Sequence, residues 1–156
     1  MLAEAITQLY ASNKFVIDLN TEDLAHEHSL LNPQPDGNNL NWVLGHILTG
    51  RAEAHEHLNI GSVWSNEQRA LYASGSDVIT PETAFLLSDL LAMLDRSQEH
   101  LMATLAGDVT ARLAQPFGEG GTVGQRLLGL AWHETYHAGQ TDYLRRLAGF
   151  LEGGVR

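Results

Sequence analysis

Residues 122–149 read TVGQRLLGLAWHETYHAGQTDYLRRLAG, and this stretch decides the fold. Thr122 followed three residues later by Gln125 is a capping box, which marks a helix start. Gly149 suits its end, so a helix is expected from Thr122 to about Ala148. Leu130, His133, His137, Gln140 and Leu144 recur at three- and four-residue steps, which places them on one stripe of that helix. A stripe of this kind turns inward in a bundle. Two inward imidazoles need partners for their nitrogens. His133 and His137 stand one turn apart, so one metal ion could satisfy both.

The rest of the chain repeats the helical pattern. Leu2, Ala5, Ile6, Leu9, Tyr10, Val16 and Leu19 predict a helix over about residues 2–19. Pro33, Pro35 and Gly37 break the chain into a loop. Asn39 or Asn41 can cap a second helix that runs to about Leu58. Residues 59–79 read as loop with a short helical turn. Thr80-Pro81-Glu82 joins a hydroxyl cap, a first-turn proline and an acid on the dipole's positive end. That predicts a third helix to about Leu105, with Gly107 at its C-cap. Pro116 and Gly118 to Gly121 form the last loop. No alternating strand pattern is present. The expected architecture is all-α: one domain over residues 1–156, a four-helix bundle whose long loops allow crossover connections.

Composition narrows the function. The chain has 156 residues, 8 His, no Cys and a formal net charge of −10. Without cysteine there is no disulfide framework, thiolate metal site or Cys nucleophile. The acidic balance argues against nucleic acid, whose phosphates are neutralised by Lys and Arg. No apolar run approaches a membrane span and the first residues lack a signal-peptide pattern, so a cytoplasmic protein is expected.

Any metal must be held by nitrogen and oxygen ligands. His46, in the apolar stretch NWVLGHIL beside Gly45, is the best third ligand to join His133 and His137. Gly45 lets a neighbouring helix come close. The other five histidines have structural or solvated readings. His55 and His57 point to opposite sides of their helix. His57 lies on the face of His46 but about 16 Å along the axis. His26 and His28 sit in an acidic, solvated stretch, and His100 lies near a helix C-terminus. HETYH also satisfies the H-E-x-x-H pattern of zinc peptidases. No downstream histidine follows it, only Asp142 and Glu152 are downstream acids, and no sheet is expected. A metallopeptidase is therefore the weaker alternative, and solvent exposure is the default for Glu134.

The blocks NWVLGHI around His46 and WHETYHAGQ around His133 and His137, with their separation and the chain length, resemble the DinB/YfiT-like superfamily of metal-dependent four-helix-bundle proteins. The resemblance covers essentially the whole chain. It implies a divalent metal held by His46, His133 and His137, the trio also reached from the residues. It further implies a range of chemistries that includes transferases using low-molecular-weight thiols. An all-imidazole set suits Zn, Ni, Fe or Mn. The expected activity is thiol-dependent S-transfer or hydrolysis on a small-molecule substrate. A non-catalytic bundle with a structural metal is the alternative. Gln140 could orient a ligand and Trp42 could wall the pocket or simply fill the core. Bundles of this size also pair as homodimers through an exposed helix face. No residue pattern names the catalytic groups.

Overall fold

A computed structural model describes residues 1–33 and 37–154; Pro35 of the first predicted loop lies outside them. The helices are α1 (Leu2–Thr21), α2 (His26–Ser29), α3 (Leu40–Leu58), α4 (Asn66–Leu71), α5 (Leu87–Leu105), α6 (Thr110–Leu113) and α7 (Val123–Leu147). The four long ones, α1, α3, α5 and α7, are those the periodicity predicts. α1 packs on α7 and α5, and α3 also packs on α7 and α5. Consecutive long helices α1 and α3 therefore stand diagonally across the bundle, as do α5 and α7. The expected crossover connections are those two.

Local chemistry sets the helix starts. Asn39 Oδ1 accepts the Trp42 amide at 2.9 Å and caps α3. Thr122 Oγ1 accepts the Gln125 amide at 3.2 Å, and Gln125 Oε1 accepts the Thr122 amide at 2.9 Å, which completes the capping box of α7.

The third helix departs from its predicted start. Thr80 and Thr83 form an isolated turn, and α5 begins only at Leu87. The intervening backbone is claimed by tertiary partners. Asn41 Nδ2 donates to the Phe85 carbonyl at 2.7 Å, the Phe85 amide donates to Tyr72 Oη at 3.1 Å, and the Leu87 amide donates to His26 Nδ1 at 3.2 Å. Groups bonded outward cannot close helical bonds.

A second departure is a two-residue hairpin, β1 (Pro116–Phe117) with antiparallel β2 (Gly121–Thr122), where no strand was expected. Gly118 and Gly120 have φ of 62° and 77°, which glycine adopts without steric cost and which permits the reversal.

Among the described residues two apolar clusters fill the bundle. One joins α3 and α5 to the connection between them, through Trp64, Tyr72 and Ile79. The other lies toward the opposite end, with Ile6 and Tyr10 of α1 packed against Leu127, Leu130 and Ala131 of α7. Among the described residues no helix is long and apolar enough to cross a membrane.

Candidate metal centre

The seam between α3 and α7 brings three histidines together. One ring nitrogen from each of His46, His133 and His137 lies within 4.8 Å of the others. His137 is buried, His46 half-buried and His133 exposed. That corrects the expectation that both members of the helix pair face inward. The inward face of α7 runs through Leu127, Leu130, Ala131, Glu134, His137, Ala138 and Thr141, and His133 falls on its edge. The cluster therefore sits at the rim of the bundle rather than in its middle.

Hydrogen bonds fix which nitrogens face one another. His46 Nδ1 lies 2.8 Å from the Tyr72 carbonyl, which can only accept, so Nδ1 carries the proton. His137 Nδ1 donates likewise to Gln140 Oε1 at 2.8 Å. Nε2 of each ring is then the nitrogen left to offer a lone pair to an ion. His137 Nε2 is 3.2 Å from His133 Nε2. This is close to the roughly 3.3 Å expected between two imidazole ligands of one tetrahedral ion with bonds of about 2.0–2.1 Å. Without an ion, His133 alone can supply a proton to that contact. The donor set therefore fits a divalent cation, which would satisfy the converging lone pairs together.

Electrostatics point the same way. Burial pushes the His137 imidazolium down to about 4 against the opposing hydrogen bond to Gln140, and the neighbouring His46 and His133 add to the depression. Desolvation lowers His133 too, followed by the charges of His46 and Arg126. Both rings are neutral in neutral solution, the state that ligates a metal.

The surrounding residues position these rings. Trp42 stacks on His46 with centroids 4.5 Å apart and planes 11° apart, and its Nε1 donates to Ser76 Oγ at 3.1 Å. It is 6% exposed, so it both fills the core and walls the site. Gln140 acts through His137, whose tautomer it sets.

Gly45 does permit a close approach, but by a side chain rather than a helix. A Cβ there would lie 2.2 Å from Tyr72 Cδ1. Tyr72 has no room to retreat, because it is fully buried and its hydroxyl donates to Asn41 Oδ1 at 2.8 Å. Gly45→Ala is therefore expected to destabilise the fold by about 1–3 kcal/mol or more through overpacking. It should also weaken metal binding, since the Tyr72 carbonyl that orients His46 must shift. Thermal melts and a metal titration on the same variant check both effects.

Glu134 is not solvent-exposed as expected: it is 4% exposed and bound by Arg51, which is 1% exposed. Arg51 Nε and Nη2 donate to its two oxygens at 2.8 and 2.7 Å, and Nη1 donates to the Leu94 carbonyl at 3.2 Å. A carboxylate so engaged is not placed to take a proton from a water. The peptidase alternative thus loses its general base, and the described residues contain no strands beyond the short hairpin.

The remaining histidines stay outside the cluster. His55 is fully buried; its Nδ1 donates to the Gly61 carbonyl and its Nε2 accepts from Ser97 Oγ. His57 bonds Glu53. His26 and His28, expected to be solvated, accept backbone amides of Leu87 and Ala25. Sequence reasoning missed Tyr72 and Arg51. An arginine within the small and apolar stretch after His46 was a faint signal, because a buried cation requires a buried anion. For Tyr72 there was none, since its contribution is a backbone carbonyl.

The geometry defines a helical bundle with a three-histidine group at its rim that could hold a metal ion. The chain belongs to the DinB superfamily, whose sequence model matches residues 8–141. No curated protein matches it.

Proposed function

We propose that the protein is a divalent-metal-dependent enzyme acting on a small molecule, with His46, His133 and His137 as the metal ligands. Transfer involving a low-molecular-weight thiol is the leading reaction, and hydrolysis is the second. The observation that carries this reading is the cleft beside the cluster. It has a volume of about 380 Å³ and is lined by His46 and His133 themselves. A metal serving only to tie α3 to α7 has no need of a cavity at its ligands. The chain has no cysteine, so a reactive thiol arrives with a cosubstrate.

A divalent ion at this position supplies Lewis acidity, lowering the pKa of a water or thiol toward neutrality. The protein's own residues do the rest. Tyr72 and Gln140 hold the Nδ1 protons of His46 and His137 and so keep the Nε2 lone pairs directed at the centre. Trp42 shields one side of His46 from water.

The test is protein purified without a histidine tag, loaded with Co²⁺ and followed by elemental analysis and visible spectroscopy. The expected result is one ion per chain and a spectrum that changes when 2-mercaptoethanol or azide is added. A thiolate-to-cobalt charge-transfer band would favour the transferase, and a response to azide alone the hydrolase. A bound ion whose spectrum ignores every added ligand would mean a structural metal. No bound ion after loading would remove the site.

A further inference from the structure

The cleft beside the histidines has a charged far end. Arg126 of α7 and Arg69 of α4 line it together with Glu53 and the exposed ring of Trp132. These are two of only nine Lys and Arg in a chain of net charge −10, so chance alone would favour an acidic lining. Arg126 is seven residues before His133, and Glu53 is seven after His46. The two thus meet across the α3–α7 seam, about 10 Å along the helix axis from the histidines.

Both guanidiniums are ion-paired, but each keeps donors that its partner does not use. Arg126 Nε and Nη2 donate to the Glu53 carboxylate at 2.6 and 2.8 Å, while its Nη1 has no partner among the described residues. Glu53 Oε1 also accepts from His57 Nε2 at 3.3 Å, so this carboxylate is shared. Arg69 reaches Glu56 through Nη1 alone. Its Nε and Nη2 have no partner among the described residues. Glu53 and Glu56 balance the two charges, so what this end of the cleft offers an anion is the N–H groups left over from the two ion pairs.

We infer that the cleft selects substrates bearing a carboxylate or similar oxyanion, which Arg126 and Arg69 bind while the reacting group meets the three histidines. This rests on the open metal site proposed above. Leu130 lies between Arg126 and His133 along α7, and with Trp132 it gives the cleft an apolar lining that suits a short hydrocarbon or aromatic spacer. Charge-assisted bonds to guanidinium are strong and directional, so Arg126 and Arg69 are specificity-determining residues for the ligand's remote end.

The test uses the full chain loaded with Zn²⁺ and isothermal titration calorimetry with three hydroxamates. Suberic acid monohydroxamate carries a carboxylate tail, octanohydroxamate an apolar tail and 7-aminoheptanohydroxamate an ammonium tail. The carboxylate probe is expected to bind about tenfold tighter than the apolar one, and the ammonium probe more weakly than either. Arg126→Gln should remove most of that preference, read as the ratio of the carboxylate-probe and octanohydroxamate affinities. Glu53→Gln should enlarge it, by releasing Arg126 Nε and Nη2. A merely structural ion pair would not move the preference in opposite directions. Equal binding of all three probes, or a preference that survives Arg69→Gln with Arg126→Gln, would overturn the inference and leave the metal site standing. No binding of any hydroxamate would overturn the open metal site and this inference with it.

Discussion

Replacing Glu134 with alanine is expected to destabilise the protein by about 3–5 kcal/mol, because it leaves the Arg51 guanidinium buried and uncompensated. For a chain of this size that corresponds to a fall in melting temperature of roughly 6–20 °C. The pair couples α3 to α7, and nothing in solvent can take the carboxylate's place at an arginine 1% exposed. Removing both charges together, as Arg51→Met with Glu134→Leu, should recover most of the loss, since well-packed apolar residues can replace a buried ion pair at little cost. Urea denaturation of the two single variants and the double variant measures this. A loss below about 1 kcal/mol in Glu134→Ala would show that the pair is not a clamp.

Replacing His133 with alanine is expected to reduce metal content from one ion per chain to none, with the fold retained. His133 is exposed, so its removal opens no core cavity. His137→Ala should lose the ion as well, and in addition some stability because that ring is buried. Gln140→Leu leaves all three histidines in place but frees the His137 tautomer, which should cost about 10–100-fold in affinity. Elemental analysis with competitive metal titration orders the three variants. Full metal retention in His133→Ala would overturn the ligand assignment.

The long helices were legible because apolar residues recur at helical spacing and because Asn39 and Thr122 are strong caps. The start of α5 was not. Thr80-Pro81-Glu82 is a sound local signal, but Asn41, Tyr72 and His26 compete for the backbone at residues 85 and 87. No local reading contains those partners. The inward face of α7 was misjudged for a related reason. It buries Glu134, Thr141 and Arg145 beside its apolar residues, so the usual contrast between apolar and polar faces is blurred. The three histidines themselves could be chosen from spacing and context. Their hydrogen-bond partners could not, apart from Gln140 one turn away. Tyr72 comes from a distant connection and acts through its main chain, which leaves no side-chain signature.

That connection, residues 59–86, is the longest between the main helices and would be the first target for trimming. Its Trp64 Nε1 donates to Thr49 Oγ1 at 3.1 Å, its Tyr72 carbonyl orients His46, and its Ile79 carbonyl accepts from Asn39 Nδ2 at 3.1 Å. A minimised scaffold that joined α3 directly to α5 would keep the three histidines in the chain and lose the brace that aims one of them. Engineers seeking a smaller or rewired bundle should graft onto other segments, because here the stretch that resembles a spacer is part of the instrument.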